Sequence, residues 1–254
     1  MSKQNDIKLV LKGNRHPMSF QENIKLLAME LAKQTEQKLS SAQRCRHVII
    51  QAIKQSLLVP GQRLIEADLC AALSVSRTPL REALAALRAD GVIEADGQTM
   101  RVRTLHWRDI NDLYDMRSLL EGAAAKYAAR HAGKAEKQVL QSLTHTEETL
   151  ITKTASPRAL AEHNRQFHHA IMQSARNDFL RESLEKLAHL FILIGDTAYQ
   201  LKDRQSAAHD QHKAIYEAIE RGDEAAAQKA MEDHLQDALA ARLRLLSQDQ
   251  DVKA

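Results

Sequence analysis

The sequence predicts a mainly α protein, with an N-terminal winged helix-turn-helix followed by an all-helical bundle domain. Three observations carry this reading. Gly and Pro are scarce, at 8 and 4 of 254 residues, so few breakers interrupt a helix-forming composition. Three helical patterns between about Ser41 and Asp90 lead into two strand-like runs around Asp96-Gly97. Beyond Leu105 the apolar residues recur only at helical spacing.

Residues 1–20 are polar and unpatterned and read as a mobile arm, within a partly disordered extension over 1–36. Ile24, Leu26, Leu27 and Leu31 predict a helix from Gln21 to about Ser40, able to run on into the next. The winged helix-turn-helix domain is placed at 37–105. Its first helix carries Val48, Ile49, Ala52 and Ile53 and stops before the breaker Val59-Pro60-Gly61. A short helix is expected over Glu66–Leu73, a tight turn at Ser74-Val75, and a third helix opened by Ser76 and ending near Asp90. Ile93–Ala95 and Met100–Arg103 read as the strands of a hairpin. A helical domain is placed at 108–248, with spans at 108–131, 134–152, 157–175, 177–202, 206–221 and 223–246.

The bulk properties exclude several classes. No apolar run approaches the roughly 20 residues that cross a bilayer, and the N-terminus has no basic stretch followed by an apolar segment. Cys45 and Cys70 lie far apart without a CxxC partner, which argues against a disulfide framework or thiolate metal site. A cytoplasmic protein with no membrane partner is expected. Net charge is +3, but residues 1–107 carry 16 Lys+Arg against 10 Asp+Glu, while the remainder is mildly acidic. An anionic partner for the N-terminal part would fit that asymmetry.

The sharpest local signal is Val75-Ser76-Arg77-Thr78-Pro79-Leu80-Arg81-Glu82-Ala83-Leu84. Ser76 is placed to cap the new helix, and Pro79 is tolerable in its first turn. Leu80, Ala83, Leu84 and Leu87 form one apolar stripe, leaving Arg77, Thr78 and Arg81 outward at the end that would enter a major groove. Arginine can donate two bonds to guanine O6 and N7, and the helix N-terminus itself favours phosphate. The alternative is an ordinary solvated helix with surface arginines. A short helix before the segment and a Gly-containing hairpin after it favour double-stranded DNA.

These residues, with Pro60-Gly61-x-x-Leu64-x-Glu66-x-x-Leu69 before them, closely resemble the GntR family of bacterial transcription regulators. The resemblance spans about residues 40–105. It implies that Ser76, Arg77, Thr78 and Arg81 lie at operator DNA, with Gly97 at the wing tip near the minor groove. Some relatives carry a further arginine early in the second helix, where this chain has Ala67.

Among the twelve histidines, Asn164 and His168 lie one turn apart on one helix face, and His212 and His234 lie on two further predicted helices. Side chains converging from several helices can build a metal site, and neutral imidazoles with an oxygen donor suit zinc or nickel. Satisfied or exposed histidines are the plainer reading of the same spacing. Arg117-x-x-x-Glu121, Asn164-x-x-Phe167-His168, His212-x-x-Ile215 and Met231-x-x-His234 look like the helical ligand-binding FCD domain of the FadR subgroup, over about 110–245. That resemblance implies a divalent metal held by Asn164, His168, His212 and His234. The first position is often Asp in that subgroup; Asn164 is a neutral donor, with less attraction for a cation. It also implies a small organic acid as effector, with Arg117 as a carboxylate clamp. The alternative for Arg117 is a structural pair with Glu121, four residues on.

The expected function is a homodimeric DNA-binding regulator, a repressor whose operator affinity is set by the effector. The alternatives are a metal-dependent hydrolase and a helical scaffold that binds only protein. No HExxH or comparable acid/base motif accompanies the histidines, which favours a regulator over an enzyme.

Overall fold

The computed structural model describes residues 19–34, 39–195 and 197–251. Of the arm expected over residues 1–20, residues 1–18 lie outside the described residues, and Phe20 already opens a helix. Two compact units divide the chain, one of Met1–Leu105 with His189–Gly195, the other of His106–Ala188 with Asp196–Ala254.

In the first unit, α1 (Phe20–Gln34) stops short of the predicted Ser40. Ser40 instead caps the next helix, α2 (Ser41–Lys54), in a reciprocal box with Gln43. Its hydroxyl accepts from the Gln43 amide at 3.2 Å while its own amide donates to Gln43 Oε1 at 2.8 Å. α3 (Glu66–Leu73) ends on Ser74 in the left-handed region, at φ 54°, and α4 (Arg77–Ala89) starts three residues later. That turn sets α3 and α4 as a helix-turn-helix. Leu80, Ala83, Leu84 and Leu87 are buried on one stripe of α4, as their spacing predicts, in a core with Val48, Ile49, Ala52 and Leu69.

The wing differs from a plain hairpin. β2 (Ile93–Asp96) and β3 (Thr99–Val102) pair antiparallel, closing on Asp96↔Thr99. A third strand, β1 (Arg63–Leu64), pairs with the other edge of β3, giving the order β1-β3-β2. Two residues are too short to show alternation, so this strand has no sequence signature. Gly97 sits in the β2–β3 turn at φ 62° with nothing within 4 Å of where a Cβ would stand. Glycine is needed there for the backbone angle rather than for space.

The second unit is entirely helical among its described residues: α5 (Trp107–His131), α6 (Lys134–Thr152), α7 (Pro157–Ser174), α8 (Asp178–Leu190, whose last two residues belong to the first unit), α9 (Lys202–Arg221) and α10 (Glu224–Asp251). α10 packs along α5 and α9, α6 against α7 and α9, and α7 against α5. Small residues make the α5–α10 approach close: Ala124, Ala125 and Ala128 are fully buried, and a Cβ on Gly122 would stand 3.2 Å from Glu232 Cγ. The single helix predicted over 177–202 is corrected. α8 gives way to a 3-10 turn at Phe191–Ile194, a break at Gly195 (φ 83°) and a second 3-10 turn at Ala198–Gln200. Gly195 is the breaker that the apolar pattern masked. Leu193 then joins the core of the first unit.

Candidate DNA-reading helix and metal centre

At the start of α4 the Arg77 and Thr78 side chains are exposed, and Arg77 makes no ion pair among the described residues. Ser76 has extended N-cap dihedrals, but its hydroxyl makes no bond to the first-turn amides, contrary to the expected cap. Those amides therefore lack the side-chain acceptor a cap would provide, a helix end suited to phosphate. Arg81 lies one turn on and is held by Glu66 at the start of α3, its Nε donating to the two carboxylate oxygens at 3.1 and 3.0 Å. At the wing, Arg63 pairs with Asp96 and Arg101 with Glu94.

The second unit gathers three of its histidines. His168 on α7, His212 on α9 and His234 on α10 each offer a ring nitrogen, and these atoms lie within 4.8 Å of one another. The ring centroids are 4.6–5.4 Å apart. Helical register explains the convergence: His212 sits on the stripe of Ala208, Ile215 and Ile219, and His234 beside Met231 and Leu235, all buried. Each ring is gripped at Nδ1. His168 bonds Glu121, which also accepts from Arg117. His212 lies 2.9 and 3.0 Å from the two oxygens of Glu147, and His234 lies 3.0 Å from Gln211 Oε1. Arg204 braces the last of these by donating to Gln211 Oε1 at 2.7 Å.

The opposite nitrogens, Nε2 of His168 and of His212, are buried without a hydrogen-bond partner. A buried orphan acceptor is costly, and a cation would satisfy both at once. On that observation the residues fit a divalent metal. Asn164, one turn before His168, has its Oδ1 accepting from the Tyr199 hydroxyl at 3.0 Å. A carbonyl oxygen has a second lone pair, so this bond leaves it able to donate to an ion.

Electrostatics keep the His212 and His234 rings neutral, the form that can ligate. Burial pushes His212 down to about 4 despite its bond to Glu147. Burial, with His212 and His168 alongside, lowers His234 well below the usual imidazole range. Burial alone would raise Glu121, but Arg117 and His168 outweigh it and hold the carboxyl at about 2. The pH consequence follows in sign. Released into the unfolded chain, His212 titrates near its ordinary 6.5, so between 6.5 and 4 only the unfolded state holds its proton. Stability is present above 6.5 and is lost as pH falls; at pH 5 His212 alone removes about 2 kcal/mol. Urea unfolding of metal-free protein at pH 7 and pH 5 measures this, and equal stabilities would refute it.

Sequence reasoning missed Glu147, Gln211 and Arg204. Glu147 shares one helical stripe with Leu140 and Thr144, and all three are buried, but a polar residue on such a stripe gives no sign of burial in the sequence.

A winged helix-turn-helix joined to a helical unit with a histidine-lined centre defines a two-domain transcription regulator. Residues 41–99 match the bacterial regulatory proteins of the gntR family, and residues 112–237 match the FCD domain. The chain is 30% identical to the probable D-xylose utilization operon transcriptional repressor of Paenarthrobacter nicotinovorans, over 76% of this chain and 85% of that one. It is 31% identical to the Glc operon transcriptional activator of Escherichia coli K12, over 72% and 81% of the two chains. The solved structure of E. coli McbR/YncC shares the fold, with TM-score 0.67 at 21% identity, over 82% of this chain and all of the other. The chain belongs to the GntR family, with an FCD domain. It is a DNA-binding transcription regulator, not an enzyme. No described helix is long and apolar enough to cross a membrane.

Proposed function

We propose that the protein is a cytoplasmic, homodimeric repressor whose hold on its operator is set by a small organic acid bound at a divalent metal in the FCD domain. The observation that carries the metal is the pair of buried, unpartnered Nε2 atoms on His168 and His212. His168, His212 and His234 would hold the ion, with Asn164 as the fourth donor. Zinc or nickel suits three imidazoles and an amide oxygen. Once bound, the ion supplies a Lewis-acidic position for a carboxylate oxygen. The chain's own residues do the rest: Glu147 and Gln211 orient the His212 and His234 rings, and Arg117 contributes a guanidinium able to take a carboxylate.

On the DNA side, Arg77 and Thr78 read the major groove, Arg81 and the helix end above Ser76 meet phosphate or base, and Gly97 lets the wing approach the minor groove. Two copies would set two such helices on a pseudo-palindromic site. Repression is supported by the P. nicotinovorans relative, which is named a repressor. Activation is the second reading, favoured by the E. coli relative named an activator. The test is selection of bound genomic fragments by zinc-loaded protein, followed by transcription in vitro from the recovered promoters. Reduced transcript supports repression, and increased transcript supports activation. Absence of binding to any duplex at low ionic strength would sink the operator reading.

A further inference from the structure

Glu121 occupies a position that the metal site alone does not require. It is buried on α5, two elements away from His168 in the chain, and its two oxygens serve different partners: one accepts from Arg117 Nε, the other from His168 Nδ1. Arg117 is itself nearly buried, with its guanidinium 5.6 Å from the Tyr114 ring centre, so the carboxylate is held from one side by a fixed cation. In an imidazole the two nitrogens lie on different edges. An acceptor fixed at Nδ1 keeps the proton there and leaves the Nε2 lone pair free. That free atom on His168 is buried without a partner, and His168 stands in the three-histidine group whose ligand atoms lie within 4.8 Å of one another.

We propose that Glu121 is a positioning residue of the metal centre, which sets the tautomer and angle of His168 while Arg117 anchors it. The inference rests on the metal reading above and adds a residue that touches neither the ion nor the acid. It has a structural rival: Glu121 could serve only to neutralise a buried Arg117. The two differ in what a change at Glu121 does to the ion. A neutralising role alters folding stability and leaves the ion's surroundings alone. A positioning role changes both affinity and coordination.

Cobalt(II) alone is the probe, because its visible absorption reports ligand number and geometry while chelator competition gives affinity. Wild-type full-length protein is expected to bind one ion per chain. Glu121→Gln is expected to bind one ion about 10–100-fold more weakly, the range for outer partners of ligating imidazoles, with an altered visible band. Loss of negative charge by itself would weaken binding, so Glu121→Asp is the second variant. It keeps the charge beside Arg117, which protects the fold, but draws the carboxylate back by one methylene from His168. It too is expected to shift the band and weaken binding, by less. Wild-type affinity and spectrum in both variants would overturn the proposal while leaving the metal site standing. If Glu121→Gln does not fold, Glu121→Asp decides alone. A wild-type protein that binds no cobalt would overturn the metal reading itself, and this proposal with it.

Discussion

Arg77→Ala is expected to weaken binding to the selected operator by about 1–3 kcal/mol, roughly fivefold to 150-fold, and to relax preference at one base pair. Arg77 is exposed at the first position of α4, and no carboxylate among the described residues pairs with its guanidinium. Removing it leaves the buried stripe of Leu80, Ala83, Leu84 and Leu87 untouched, and stability should stay within about 0.5 kcal/mol of wild type. Arg81 offers the contrast. Its Nε is already engaged by Glu66, so its release toward DNA costs an ion pair, and Arg81→Ala should lose less than Arg77→Ala. Fluorescence anisotropy with operator and scrambled duplexes at two salt concentrations separates the effects. A base-reading arginine lowers the difference between duplexes, whereas a phosphate contact lowers both affinities and the salt slope. Equal operator affinity in Arg77→Ala and wild type would remove Arg77 from the reading set.

The sequence was most legible where local chemistry and tertiary packing agree. The boundaries of α3 coincide with the predicted Glu66–Leu73 because the Ser74 turn marks one end and the acidic Glu66 and Asp68 favour the other. The gathering of His168, His212 and His234 was implied by a family likeness and not by spacing, since separation along the chain says nothing of which helices adjoin. α7 packs mainly against α5 and α6 while α9 packs on α10, so the three rings meet across the bundle interior, which no single helical stripe announces. β1 and the Gly195 break were illegible for opposite reasons. The strand is only two residues long, and the break lies in an apolar run, Leu190 to Ile194, that continues a helical pattern by composition. Glu147 stayed hidden because polar residues on helices are read as solvated. Its burial makes sense only with His212 across from it, a long-range pairing that no window of sequence contains.

His212→Ala together with His234→Ala is expected to reduce bound zinc from one ion per chain to none. A ligand that binds only the folded state at a hundred times its Kd stabilises by about 2.7 kcal/mol, and that increment should vanish in the double variant. Two imidazoles leave at once, and the remaining His168 with the neutral oxygen of Asn164 is too small a donor set for a four-coordinate ion. The variant carries a cost that must be measured beside it. Glu147, 1% exposed, loses its main partner and keeps only His209, whose Nδ1 is 3.4 Å away. A buried carboxylate so stranded destabilises the bundle. His234→Gln spares Glu147 and gives the cleaner comparison, since it removes one ligand and leaves the His212–Glu147 pair intact. Metal analysis and thermal melts with and without zinc, on protein shown folded by circular dichroism, read both effects. Operator binding by the metal-free variants should then no longer respond to any acid that shifts the wild type, because the carboxylate's position on the ion has gone while α4 is unchanged. Zinc at wild-type stoichiometry in a folded double variant would take these imidazoles out of the coordination sphere.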